Sequence, residues 1–134
     1  MTQATFILRI VTPSRVFERE IVQVRLRDES GFFGVMKGHA DFLTILVPSL
    51  CYYRDVRGKE RFLAVDEGIF TVDGGLAVLT SREVFESDEP EKLAELVEST
   101  FLQRREAETA LREMLGDMEQ SFMEKTLVLM RGTS

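Results

Sequence analysis

Few residues in this chain could do chemistry: there is one histidine, His39, and one cysteine, Cys51. A thiol beside an imidazole would supply nucleophile and base for covalent acyl transfer, if a third group oriented the base. Cys51, however, stands in Leu50-Cys51-Tyr52-Tyr53-Arg54, an apolar and aromatic run that reads as a strand. Free cysteine is among the most buried residue types, so a core thiol is the simpler expectation. One His and one Cys exclude the usual zinc sets, and no Asp/Glu spacing matches a calcium loop. Neither GxxxxGK[S/T] nor GxGxxG occurs. Asp66-Glu67 falls at a strand end on alternating sides, where two carboxylates serve solubility. The expectation is a chain that is not an enzyme, with no catalytic residue, no metal site and no cofactor.

The elements that would position any site fall into two kinds. Through residue 86 the sequence reads as short strands and turns. Phe6–Val11 stops at Thr12-Pro13, where proline cannot continue a ladder. Glu20–Arg27 reads as one alternating strand with Val22, Val24 and Leu26 on one side and Gln23, Arg25 and Arg27 on the other. Further strands are expected at Phe32–Met36, Thr44–Val47, Leu50–Arg54, Arg61–Val65, Ile69–Asp73, Leu76–Ser81 and Glu83–Phe85. Asp73-Gly74-Gly75 is a tight hairpin signal and Asp55–Lys59 a longer one. Eight to ten strands with no helix between them indicate a β-sandwich or flattened barrel.

After Ser87-Asp88-Glu89-Pro90 the period becomes helical, with Ser87 or Asp88 as N-cap and Pro90 in the first turn. Leu93, Val97, Phe101, Leu111, Leu115, Met118, Phe122 and Leu129 form one stripe, interrupted by Arg104, Glu108 and Lys125. Gly116 permits a break without requiring one, so a helical hairpin and one long helix both remain open. The expected organisation is a sandwich domain over 1–86 and a helical domain over 87–134.

Composition narrows the partners. The chain has 134 residues and a net charge of −6. Residues 1–86 hold 11 Lys and Arg against 12 Asp and Glu, while 87–134 hold 6 against 11. With no basic run, binding to a nucleic-acid backbone is not expected. No stretch approaches the roughly 20 apolar residues that span a bilayer, so no membrane insertion is expected. The opening MTQATFILRI lacks a positive n-region and a cleavage site, so no signal peptide is expected.

The most informative stretch is Gly31-Phe32-Phe33-Gly34-Val35-Met36-Lys37-Gly38-His39-Ala40-Asp41-Phe42-Leu43-Thr44. Its glycines allow tight turning around large apolar side chains. On composition the simpler reading is a connection whose aromatics enter the core; the other is a loop at one end of the sandwich that offers apolar contacts to a partner. The segment resembles the GxFGVLPGHAPLLT-type loop of the epsilon subunit of F-type ATP synthases. Val11-Thr12-Pro13 is similar to that family's IVTPEG-type start. Phe62–Val72 is similar to its FFAVSGGFVEV stretch and Leu76–Thr80 to its VTVLAD strand. The similarity runs over residues 5–86 in the family's order.

The resemblance implies a sandwich that joins the gamma shaft to the c ring of a rotor during ATP synthesis and hydrolysis with ion transport. It implies a peripheral position at the cytoplasmic face of the cell inner membrane. It also implies partner contacts at Gly31, Phe32, Phe33, Gly34, Val35, Met36, Gly38 and His39. In some members the C-terminal helices contact the catalytic alpha/beta head or bind ATP through an Ile/Leu-Asp-x-x-Arg-Ala motif. Here that motif is reduced to Asp88 and its arginine is absent. The acidic tail should dock weakly on acidic elements of a catalytic head. Phe32 stands where the family often has an acidic residue, Lys37 and Asp41 replace prolines, and Asp66-Glu67 replaces Ser-Gly. These departures suggest a divergent branch of the family, with the alternative F-type complexes, some of which pump sodium, as the candidate. From a different class, the sequence also fits a stand-alone sandwich–helix adaptor that uses its helical stripe to hold a partner.

Overall fold

A computed structural model describes residues 4–132, with side chains through Met118. Ten strands form one continuous sheet: β1 (Phe6–Val11), β2 (Val16–Ile21), β3 (Gln23–Asp28), β4 (Gly31–Met36), β5 (Phe42–Leu46), β6 (Ser49–Arg54), β7 (Glu60–Val65), β8 (Gly68–Asp73), β9 (Leu76–Ser81) and β10 (Val84–Ser87). The order is β10-β7-β6-β3-β5-β8-β9-β1-β2, with β4 on β3. β3 and β5 pair through Asp28 and Leu46 alone, and Val47 N–H donates to Arg27 O at 3.2 Å. At this thin seam the sheet turns back on itself. One layer supplies Val24, Leu26, Val35, Cys51 and Leu63, the other Leu8, Ile10, Phe70, Val72 and Leu79, and together they make one buried core. The sandwich with a following helix matches the expected architecture.

The strand read as Glu20–Arg27 is two strands. Ile21 and Val22 are both buried, which breaks the alternation of a single strand, and the chain turns there from β2 in one layer to β3 in the other. Val22 N–H donates to Arg54 O at 2.8 Å, which fixes the corner on β6.

The side opposite the seam is closed by charge. Glu86 of β10 is mostly buried and accepts from Tyr53 Oη at 2.9 Å and from Arg61 Nε at 3.1 Å. Its other oxygen has no hydrogen bond but lies 3.3 Å from Arg19 Nε of β2. The cluster therefore links β2 to β6, β7 and β10 across the open side. Burial, and then the Glu86 carboxylate, push the Tyr53 phenol above its ordinary pKa. Burial works against the Arg61 charge, but Glu86 and Asp88 outweigh it and raise the Arg61 pKa.

Helix α1 (Pro90–Leu96) carries proline in its first turn, and its N-cap is Glu89 rather than Ser87 or Asp88. Ser87 Oγ instead accepts the Glu89 N–H at 3.0 Å, a side-chain turn one step ahead of the cap. A π-helical segment, Val97–Leu102, follows. α1 packs on β6, β7 and β10; Leu93, Val97 and Phe101 are buried, and Phe101 stacks on Phe85 with centroids 6.3 Å apart. The chain separates into two compact units, one ending at Phe101 and one beginning at Leu102. In the second, helix α2 (Gln103–Gly132) runs through Gly116 without a break, so the long-helix layout is the one found. Leu111, Leu115 and Met118 of the expected stripe are exposed, together with Met114. The side chains of Phe122, Lys125 and Leu129 lie outside the described residues.

Candidate functional site

Gly31–Met36, which also read as an end loop, is strand β4, paired with β3 from Asp28↔Gly31 to Gln23↔Met36. Gly31, at φ +122°, follows the two-residue turn Glu29-Ser30, which places β4 directly against β3. The register also puts Gly31 and Met36 at opposite ends of the hairpin, so the segment does not gather at one end of the sandwich. Alternation then sorts its residues. Val35 is buried and Phe33 packs on the core against Phe42 and Phe70, at 5.9 and 6.0 Å between centroids. Phe32, Gly34 and Met36 face outward, and Lys37, Gly38 and His39 make the exposed turn that follows. Of the eight expected contact residues, Phe33 and Val35 therefore serve the core.

His39 lies on Phe42, 4.7 Å between ring centroids, with Nδ1 2.8 Å from Ala40 O. Cys51 is buried in β6 with Sγ 3.3 Å from Ser49 Oγ, so thiol and imidazole do not meet. Burial pushes the Cys51 thiol up to about 11, against a smaller lowering by the Ser49 hydroxyl. At pH 8 a thiol with that pKa is ionised to roughly one part in a thousand, and the thiolate is the reactive form. Thiol reagents should therefore leave the native chain unlabelled at pH 8 and label it fully in urea. Rapid native-state labelling would contradict a closed core. Among the described residues no group of three or more His, Cys, Asp and Glu could hold a metal. Asp88 is engaged by Arg61 Nη1 at 2.9 Å and by Lys59 Nζ at 3.6 Å, which ties the start of the helical region to the β6–β7 hairpin. Asp66 is fully buried, 3.5 Å from Arg82 Nε, with Oδ1 accepting the Glu67 N–H at 2.7 Å. Its carboxylate is thus a structural anchor, not the solubilising surface group expected.

Sequence reading missed a larger feature on the outer face of the other layer. Registers place Ile45 beside Ile69, Ile69 beside Thr80, Thr80 beside Val11, and Val11 beside Val16. This is one row across β5, β8, β9, β1 and β2, apolar except for Thr80 on β9. Ile45 is 66% exposed, Val16 62%, and neighbouring Leu43 64%. A shallow depression of about 460 Å³ opens along the row, lined by Val11, Pro13, Gly68, Ile69, Thr80 and Arg82 among others. The signal in the sequence was Phe42-Leu43-Thr44-Ile45-Leu46, apolar on both sides of a strand, as in a strand covered on both faces.

The family model for the ATP synthase delta/epsilon chain β-sandwich domain matches residues 5–86, from just before β1 almost to the end of β10. The chain belongs to the ATP synthase delta/epsilon chain family. ATP synthase epsilon chain 2 of Paraburkholderia xenovorans is 42% identical over 76 residues, 55% of each chain, so the chain spans little more than half of that relative. ATP synthase epsilon chain 2 of Cereibacter sphaeroides is 32% identical over 113 residues, covering 82% of this chain and 75% of the relative. The fold is also that of a chain in the cryo-EM structure of the Euglena gracilis mitochondrial ATP synthase, OSCP/F1/c-ring. The TM-score there is 0.60 at 21% identity, covering 73% of this chain and 64% of that one. The delta/epsilon family model ends before the helices, whereas the 113-residue match to the Cereibacter sphaeroides chain extends into them.

Proposed function

We propose that this chain is the non-catalytic epsilon subunit of an F-type ATP synthase central stalk, carrying torque between a gamma-type shaft and an ion-driven c ring. The observation that carries the reading is an uncovered apolar row on a sandwich of the delta/epsilon family. Torque transfer asks for a rigid body with two contact surfaces and for no reacting group. The row across β5, β8, β9, β1 and β2 suits a shaft, because contiguous exposed apolar surface marks protein interfaces. The outward residues of the glycine segment, Phe32, Gly34, Met36 and the turn Lys37-Gly38-His39, suit the ring. The position is peripheral, at the cytoplasmic face of the inner membrane; no described helix is long and apolar enough to cross a membrane.

For residues 87–134 we propose weak contact with a catalytic head and no nucleotide site. The segment holds 6 cations against 11 carboxylates, and Asp88 is already held by Arg61 and Lys59. The test is reconstitution of the complex in membranes without this chain, with it, and with a version ending at Phe101. Without the chain, ATP hydrolysis should no longer drive ion transport. The full chain should restore coupling, and the shortened one should restore it with a hydrolysis rate within about twofold of the full chain's. Full coupling in its absence would refute the rotor role, and a tenfold rise in hydrolysis on shortening would refute the weak docking.

A further inference from the structure

We propose that the outer face of the β3–β4 hairpin is a seat for a protein carboxylate, and that the ring loop meeting it presents an acidic side chain. This rests on the rotor-subunit reading above. Arg25 and Arg27 lie on the same face of β3, and both guanidinium carbons sit over the ring of Phe32, at 5.2 and 5.3 Å from its centroid. In the ladder Phe32 is opposite Arg27 and Gly34 is opposite Arg25. Gly34 does not have a positive φ, so its backbone does not require glycine. A Cβ there would meet Gln23 Nε2 at 3.4 Å and otherwise little. What the missing side chain provides is open surface beside Arg25, next to an aromatic plate.

Among the arginines that lie within strands, the two on this surface differ from the rest in their charge partners. Arg9 pairs with Glu18, Arg19 with Glu86, Arg54 with Glu60, Arg61 with Glu86 and Asp88, and Arg82 with Asp66. Arg25 and Arg27 have no carboxylate in ion-pair reach among the described residues, in a chain with 23 acids to 17 bases. Two like charges on one strand face repel, and a carboxylate set between them would turn that repulsion into charge-assisted hydrogen bonds to two planar forks. Phe32 and Met36, 49% and 59% exposed, supply apolar walls that a protein loop can cover. Anionic lipid is the poorer fit. It is recognised by clusters of roughly four to eight cations, whereas here two arginines stand together, with Glu29 in the turn that follows β3 and with Arg54 of the neighbouring strand already paired to Glu60.

The experiment compares the full-length chain with its Arg25→Glu/Arg27→Glu variant for binding to purified c ring, to purified gamma-type shaft, and to phosphatidylserine vesicles, over a salt series. The expected result is a loss of ring affinity of about a hundredfold at low salt, shrinking as salt rises, with shaft binding unchanged. Arg25→Gln/Arg27→Gln, which adds no negative charge, should lose about tenfold. Ring subunits carrying Lys in place of the acidic loop residue should bind the Glu variant better than the native chain. Equal ring binding by native and variant chains would overturn the seat and leave the rotor reading intact. Loss confined to vesicles would overturn it in favour of lipid. Native chain that binds neither ring nor shaft would overturn the rotor reading, and the seat with it.

Discussion

Gly68→Ala is expected to cost about 3 kcal/mol or more of stability, or to prevent folding. Gly68 opens β8, where it pairs with Leu46 on one side and Ser81 on the other. A Cβ on it would lie 2.0 Å from Thr80 O and 3.0 Å from Ser81 Cα. Both are backbone atoms of the adjoining strand and cannot rotate away, so relief requires β8 and β9 to separate. Forcing an extra methyl into a packed site typically costs 1–3 kcal/mol, and a rigid backbone wall puts this case at or above that range. Against a total stability of about 5–15 kcal/mol such a loss is large. It would show as a lower urea midpoint with an unchanged slope. Gly34→Ala is the contrast: its Cβ approaches a mobile amide at 3.4 Å, and the midpoint should move little. Equal effects from the two substitutions would mean that the β8–β9 contact is looser than described.

Leu43→Glu/Ile45→Glu should leave the fold stable and remove binding to a gamma-type shaft. Both side chains are about two-thirds exposed on β5, so neither contributes much to the core and the urea midpoint should hold. Their value lies in what covers them. Anchors at the centre of an interface carry roughly 2 kcal/mol or more each, and a charge buried against an apolar partner adds a desolvation cost. Together the two changes should weaken binding by at least about a hundredfold, roughly 2.7 kcal/mol. The loss should persist at high salt, because apolar contact is not screened. That distinguishes this face from the Arg25–Phe32–Arg27 surface, whose contribution should fade as salt rises.

How far the sequence could be read follows from the range of each signal. Local chemistry was legible. Pro13 ended β1, Asp73-Gly74-Gly75 turned β8 into β9 with Gly74 and Gly75 at positive φ, and alternation gave the inward Val24 and Leu26 of β3. The corner at Val22 was not legible, because Glu20–Arg27 alternates well enough to pass for one strand until burial of the adjacent Ile21 and Val22 is known. The helix was legible as helix, but Gly116 could not decide between continuing and folding back, since a glycine costs a helix only ~1 kcal/mol. The glycine segment was noticed for its residues, yet their division into core and surface depended on pairing with β3. The apolar row was least accessible. Ile45 and Ile69 become neighbours through strand register, which relates residues distant in sequence, and neither is unusual alone.

The most direct test is a titration of a purified gamma-type shaft with the purified full-length chain, alongside the Leu43→Glu/Ile45→Glu variant. The expected result is saturable, one-to-one binding by the native chain without nucleotide, and at least a hundredfold weaker binding by the variant at an unchanged urea midpoint. A native chain with no measurable affinity for the shaft would contradict the rotor role. Equal affinity of the two proteins would show that the shaft is held by another face.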